Sequence, residues 1–167
     1  DVFGNFPMDK NGLSWRVQVL PFLERNNLFR KFNPDEPWDS PQNKTLLNTM
    51  PDVFKTPGVD GSNTGVVRFM GPGAFLPDQE TRMRNITDGT SNTILCTVVN
   101  NSAAVPWTKA ADYNYNVQDP GASMLVMNDR YLVVMVDGAV RALNASIDLK
   151  TLQNSITHSD GQVVILR

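Results

Sequence analysis

The sequence predicts a single α+β domain over residues 1–167, in which an N-terminal helix packs on a mostly antiparallel sheet. Three observations predict this class. Helical patterns are concentrated near the start of the chain, β-rich runs follow towards its end, and an Asp-Gly pair separates two of those runs. A chain of 167 residues also fits one domain and can bury a substantial core.

The first predicted helix begins after Ser14, a residue type that commonly caps helix N-termini. Pro21 interrupts the pattern, so we expect either a kink or two short helices with Pro21 near the start of the second. The pattern ends by Asn33-Pro34. The apolar positions that define its period are Trp15, Val17, Leu20, Leu23 and Leu28.

A second short helix is predicted over residues 41–49, with Ser40 as its N-cap and Pro41 in its first turn. It should direct Leu46 and Leu47 inward. Residues 56–78 follow and are rich in glycine and proline, which is typical of a long irregular loop. The apolar run at 66–70 predicts one short strand within that loop.

The β-rich run 93–99 predicts a strand, and runs 131–136 and 139–143 flank Asp137-Gly138. An Asp-Gly pair between two such runs is a strong hairpin signal, and it predicts a type I′ turn.

The last predicted helix starts at the N-cap Asp148 and runs through Ile156. Ile147 and Leu152 stand at the two positions of a hydrophobic staple. After Asp160-Gly161, residues 163–166 predict a closing strand.

Composition excludes several classes of function. The chain is 41% hydrophobic and 19% charged, as in ordinary globular proteins. Its net charge is −2 without a basic run, so no electrostatic surface for nucleic acid or anionic lipid is predicted. The single cysteine, Cys96, lies in an apolar run and is expected to be a buried thiol.

No catalytic or cofactor site is predicted. His158 is the single histidine, and its neighbours do not form a nucleophile and base arrangement, so we expect a surface histidine in a polar turn. One histidine and one cysteine cannot supply a zinc site. Calcium is the least implausible metal, because it needs only oxygen ligands. Each of four Asp-Gly pairs could supply one carboxylate, from Asp60, Asp88, Asp137 and Asp160. Such pairs are, however, primarily turn signals.

Large aromatic residues leave two alternatives open. Trp15 and Trp38 are expected to anchor a thin, loop-rich core, and core packing is also the favoured interpretation for Trp107. However, Trp107 stands in a long loop, so with Tyr113 and Tyr115 it is also the predicted wall of an aromatic ligand pocket.

Several short sequence motifs combine a turn with a large apolar residue, and we call them turn-and-anchor phrases. Together they resemble a planctomycete family of prepilin-like proteins of unknown function. The resemblance covers nearly the whole chain. Asp88-Gly89 and Asp137-Gly138 are its turn motifs. The phrases are Ser14-Trp15-Arg16-Val17 with Leu20-Pro21-Phe22-Leu23-Glu24, Glu36-Pro37-Trp38-Asp39-Ser40-Pro41, Asp88-Gly89-Thr90-Ser91-Asn92-Thr93, Val105-Pro106-Trp107-Thr108-Lys109, and Asp137-Gly138 with Val140-Arg141.

Two positions depart from the family's pattern. Family members commonly carry a histidine at the position near Met127, and a glutamate in the strand after Ile94, where this chain has Cys96-Thr97. We therefore do not expect this chain to share any ligand role that those polar groups have in relatives.

The resemblance implies a pilin- or pseudopilin-like head with long loops, lacking the upstream prepilin leader and stalk helix. It further implies an extracytoplasmic, membrane-anchored location, with protein partners or self-assembly through the missing stalk helix. We therefore expect a non-enzymatic structural or interaction domain that acts by protein-protein contact. The alternative is an extracytoplasmic solute-binding module.

Overall fold

The computed structural model describes residues 6–75, 83–159 and 161–162. They form a mixed fold of short helices, long loops and a curled, mostly antiparallel sheet. No helix among these residues is both long enough and apolar enough to span a membrane. The predicted closing strand at 163–166 and Asp160 lie outside the described residues.

The N-terminal pattern forms three short pieces: α1 (Trp15–Gln18), a 3-10 turn (Leu20–Leu23) and α2 (Asn26–Phe29). Ser14 caps α1 by accepting a hydrogen bond from the Arg16 amide, as predicted. Pro21 lies in the first turn of the 3-10 segment, as predicted for the second piece. That segment ends at Glu24, whose φ of 59° is left-handed and incompatible with a continuing helix.

The helix predicted at 41–49 is also divided, into α3 (Pro41–Lys44) and a 3-10 turn (Leu47–Thr49). The N-cap is confirmed, since the Ser40 hydroxyl accepts from the Asn43 amide. Leu46 is buried, whereas Leu47 is half-buried. Two further 3-10 turns cover Asp52–Phe54 and Met83–Asn85.

Nine strands are described. They are β1 (Asn63–Thr64), β2 (Val66–Val67), β3 (Phe69–Met70), β4 (Ile94–Val98), β5 (Val105–Pro106), β6 (Tyr113–Asn114), β7 (Val126–Met127), β8 (Arg130–Met135) and β9 (Val140–Asn144).

The main sheet has the order β2-β4-β8, with every pair antiparallel. β4 and β7 pair with different parts of one edge of β8, and β9 pairs along its other edge. Two small ribbons lie outside this sheet: β1 pairs antiparallel with β5, and β3 pairs parallel with β6.

The prediction of a single strand at 66–70 is wrong, because the run divides into two short strands at Arg68. Val66–Val67 joins the main sheet, and Phe69–Met70 joins β6. The backbone amide of Arg68 donates to the Asp112 carboxylate at 2.9 Å, so the chain leaves the sheet ladder at this residue.

The predicted hairpin is confirmed by the pairing of β8 with β9. The predicted type I′ turn is wrong, because that turn needs positive φ at two consecutive residues, and Gly138 (φ 87°) has it whereas Asp137 does not. The Gly138 amide donates to the Met135 carbonyl, and the Met135 amide donates to the Ala139 carbonyl. The loop is therefore a three-residue connection that ends in a left-handed glycine.

The helix that covers the sheet is α4 (Leu149–Ile156), capped by Asp148 as predicted. Its Leu152 and Ile156 belong to the sheet cluster, the apolar core of the sheet, and Ile147 packs against the same cluster. The buried members of the sheet cluster are Val67, Phe69, Ile94, Val99, Tyr113, Tyr115, Met124, Val133, Met135, Leu143, Leu152 and Ile156.

For the N-terminal helices, the predicted packing on the sheet is not confirmed. They build a separate helical cluster, to which the main sheet contributes Val66 at its β2 edge. The apolar residues of α1 therefore meet other short helices and Trp107. The buried members of the helical cluster are Leu13, Val17, Leu20, Phe32, Leu46, Phe54 and Trp107. A third, smaller cluster joins Phe75, Ile86 and Val136.

Candidate functional site

Among the described residues, the largest group of buried charges lies where the helical cluster meets the sheet. We call it the ion-pair network, and it consists of Asp9, Arg16, Arg68 and Asp112. The side chains of Arg16, Arg68 and Asp112 are 0%, 3% and 3% exposed, and that of Asp9 is 32% exposed. Two guanidinium groups and two carboxylates give the network no net formal charge.

Three different parts of the chain supply the buried members. Arg16 is the second residue of α1, held by the Ser14 cap. Arg68 stands between β2 and β3, and Asp112 directly precedes β6. The parallel pairing of β3 with β6 brings Arg68 beside Asp112, so the small ribbon positions the ion pair.

Asp112 is the centre of the network and accepts five hydrogen bonds. Oδ1 accepts from the Trp15 indole at 3.2 Å, from Arg16 Nη2 at 3.1 Å and from the Arg68 amide at 2.9 Å. Oδ2 accepts from Arg68 Nε at 2.8 Å and Nη2 at 2.6 Å. Arg68 Nη2 also donates to Asp9 at 2.6 Å. Two charge-assisted donors of the Arg68 guanidinium thus converge on Oδ2, and the Arg68 amide occupies Oδ1, which fixes both partners in one geometry.

The guanidinium of Arg16 donates hydrogen bonds from all three of its nitrogen atoms. Arg16 donates from Nε to the Val66 carbonyl at 2.7 Å and from Nη1 to the Ser14 hydroxyl at 2.7 Å. Burial lowers the pKa of Arg16, and the nearby Asp112 carboxylate opposes that shift. The Trp15 ring lies under both guanidinium carbons, at 4.9 Å from Arg16 and 5.5 Å from Arg68. With its donors directed inward, the network can hold these parts of the chain together.

The sequence predicts Trp15 and Arg16 as part of a turn-and-anchor phrase, but it does not single out Arg68 or Asp112. One signal was available for Arg68, because an arginine inside the apolar run 66–70 needs a buried partner. Asp112 carries no such signal, since a single aspartate in a loop is ordinary.

The three tryptophans differ in burial. Trp107 is 0% exposed and donates from its indole to the Leu47 carbonyl at 2.8 Å. It stacks with Phe54, at 6.1 Å between ring centroids. Trp15 and Trp38 are half-buried, and the Lys109 ammonium lies 5.7 Å from the centre of the Trp38 ring. The Trp15 ring meets Phe54 edge-on, at 6.4 Å between ring centroids, so all three tryptophans contribute to packing around the helical cluster.

The three residues of the predicted aromatic pocket are not brought together. Tyr113 and Tyr115 both contact Phe69 in the sheet cluster, whereas Trp107 belongs to the helical cluster. The Tyr115 hydroxyl donates to the Pro72 carbonyl at 2.6 Å, and the Tyr113 hydroxyl accepts from the Ser123 amide at 3.3 Å. A ligand-binding role for these residues stays a prediction.

The Asp-Gly positions have distinct surroundings. Asp88 is 2% exposed and accepts from the Gly161 amide at 3.0 Å, which ties the loop of Gly89 (φ 99°) to the C-terminal segment. Asp60 and Asp137 are exposed. Within the described ranges, no three histidine, cysteine, aspartate or glutamate side chains are grouped as metal ligands would be.

His158 is half-buried rather than a surface residue. Its ring meets Phe75 edge-on at 5.4 Å between centroids, and its Nδ1 is buried with no hydrogen-bond partner among the described residues.

Cys96 is buried as predicted, and burial raises the pKa of its thiol to about 12. At neutral pH such a thiol is a packing residue and a poor nucleophile.

The described surface includes a cleft near α4 and another near α2. The α4 cleft has a volume of about 220 Å³ and lies between the loop at 118–121, Tyr131 and the start of α4. The α2 cleft has a volume of about 170 Å³ and lies between α1, the end of α2 and the segment after it. Neither is lined by Trp107, Tyr113 or Tyr115.

Comparison with protein families gives a match to the N-terminal part of the chain. A family model described as a protein of unknown function (DUF1559), with the short name SBP_bac_10, matches residues 2–57. No curated protein and no solved structure matches the chain. Over these N-terminal residues, which include α1, α2 and α3, the chain is similar to a family whose function is uncharacterised.

Proposed function

We propose that this chain is a non-enzymatic, pseudopilin-like head domain that acts outside the cytoplasm through contact with further copies of itself. Support comes first from the resemblance carried by its turn-and-anchor phrases, two of which fall within residues 2–57, where the family model matches. In the family it resembles, a membrane helix precedes the head. The proposed role requires no metal, cofactor or nucleic acid.

The observation that carries the proposal is an exposed apolar face on β7, β8 and β9, which we call the outer face. Directly paired residues of a sheet point to the same side. The pairs Leu132 with Ala142 and Val134 with Val140 therefore share this face. Met127 joins them through its pairing with Arg130. Met127, Leu132 and Val140 are 47%, 40% and 65% exposed.

An apolar face of this kind is complementary to its own copy. In a two-fold symmetric contact the same patch meets itself, so a patch rich in like charges would repel while an apolar patch would not. Arg130 is the one charged residue among the paired positions named above. Clustered exposed apolar side chains are typical of interaction surfaces.

Sedimentation velocity of the purified chain over a range of concentrations tests the proposal. We expect reversible self-association that Val140→Asp weakens at least about tenfold, since a carboxylate would have to be desolvated in the contact. Val53→Asp is the matched control, because Val53 is 58% exposed, close to the 65% of Val140, and lies in a 3-10 turn away from the sheet.

A chain that stays monomeric at every concentration would contradict the proposal. So would equal effects of the two substitutions, because self-association would then not depend on the outer face. Far-UV circular dichroism of both variants checks that each retains its secondary structure.

A solute-binding role is the second candidate. The short name of the family model mentions solute binding. The observation in this chain that favours it is a buried amide without a hydrogen-bond partner, which belongs to Gln18 in the α2 cleft.

A further inference from the structure

We propose that the α2 cleft binds a small apolar molecule that carries a carboxylate group. The inference names a site and ligand class for the solute-binding candidate, and it does not depend on self-association. It rests on three features of the cleft: an apolar wall, a buried donor without an acceptor, and a cationic side chain at the rim.

The wall suits a hydrocarbon group. Leu13, Val17 and Phe32 line it and are 0%, 0% and 6% exposed, and the half-buried Phe29 adds a second ring. The cleft volume is about 170 Å³. An apolar cavity of about 150 Å³ is large enough to hold benzene, so a six-membered ring matches this cleft in size.

The donor is the side-chain amide of Gln18, the last residue of α1. Its Nε2 is buried and has no hydrogen-bond partner among the described residues. Thr108 and His158 have similarly unpartnered atoms, but only Gln18 lines one of the two clefts. A buried N–H that has lost water without gaining an acceptor is unfavourable, and a ligand oxygen would relieve that cost.

The cation at the rim is Arg30, which directly follows α2 and is exposed. It lines the cleft, and it forms none of the ion pairs found among the described residues. A guanidinium and an amide donor that line the same cleft favour an anion with planar acceptor geometry, which is the chemistry of a carboxylate.

Benzoate is the probe, because it combines a ring of the right size with a carboxylate, and benzyl alcohol is its neutral analogue. Titration of the ¹⁵N-labelled chain followed by NMR should show saturable shifts of the Gln18 side-chain amide and of backbone amides around the cleft. We expect benzoate to bind at least about fivefold more tightly than benzyl alcohol, because only benzoate pairs with Arg30.

Two substitutions separate the parts of the site. Gln18→Met keeps the length of the side chain, removes the donor and should weaken binding of benzoate. Arg30→Gln should remove the preference for benzoate over benzyl alcohol, while Arg25→Gln should not. Arg25 is the matched control, since it is exposed on the same segment, carries the same charge and does not line the cleft.

The proposal is overturned if benzoate causes no saturable shift at Gln18, if benzyl alcohol binds equally well, or if Arg25→Gln has the same effect as Arg30→Gln. The titration is repeated on the Val140→Asp variant. Unchanged benzoate binding there supports the site whether or not the wild-type chain self-associates, so the two proposals fail independently.

Discussion

At the scale of single residues, Asp112 is the charged group at the centre of the ion-pair network. It pairs with two buried guanidinium groups and accepts five hydrogen bonds, from Trp15, Arg16 and Arg68. The exposed pair of Lys55 with Asp52, at 62% and 91% exposure, is the opposite case. The two differ in their contribution to stability because of burial. Water screens the charges of the exposed pair and competes for their hydrogen bonds, and it does not reach the buried groups.

Asp112→Asn should lower the free energy of unfolding by about 3 kcal/mol, because it leaves buried arginine charge uncompensated. Urea denaturation followed by circular dichroism measures the loss. Asp52→Asn is the control and should leave the urea midpoint unchanged within error, since surface pairs contribute little. If the Asp112→Asn variant has the same urea midpoint as the wild-type chain, the network does not stabilise the fold.

At the scale of elements, the two hairpins of β8 use different turns. Asn128 and Asp129 have φ values of 50° and 59°, so the type I′ turn lies between β7 and β8. The Asp137-Gly138 connection uses a single left-handed residue instead. Both pairs suit positive φ, because asparagine, aspartate and glycine tolerate it best. Turn type depends on strand register, which a dipeptide alone does not specify.

Gly138→Val should destabilise the chain by about 1–2 kcal/mol, because a β-branched residue is strained at positive φ. The effect would be purely conformational, since a Cβ at Gly138 would meet no atom within 4 Å. Ala139→Val adds a branched side chain at the next exposed position and should leave the melting temperature nearly unchanged. Equal melting temperatures for the two variants would contradict the left-handed assignment of Gly138.

At the scale of the whole molecule, the ion-pair network joins two apolar clusters. Arg16 belongs to the helical side, while Arg68 and Asp112 belong to the ribbon beside the sheet cluster. Neither cluster can separate from the other without exposing a buried charge. The network therefore couples the stability of the two clusters.

We expect the helical cluster and the sheet to unfold in one transition. Trp107 is in the helical cluster, and Trp38 packs against it. Tryptophan fluorescence should therefore follow the helical cluster, while far-UV circular dichroism follows the whole chain, and their urea midpoints should coincide. Separate midpoints for the wild-type chain would refute the coupling. In Asp112→Asn the two curves should move apart.

Local features of this fold could be predicted from the sequence. The caps at Ser14, Ser40 and Asp148 are confirmed because each depends on a hydrogen bond to a residue two or three positions away. The hairpin around Asp137-Gly138 and the buried Cys96 are confirmed for the same reason, since neighbouring residues carry their signals.

The tertiary structure alone decided which distant residues meet. Asp112 is 44 residues from Arg68 and 96 from Arg16, and no local pattern links such positions. The same distant contacts divide the run at 66–70, separate Trp107 from Tyr113, and assign the N-terminal helices to their own cluster. Periodicity reports which face of an element is apolar, and the element that covers that face is chosen only when the whole chain packs.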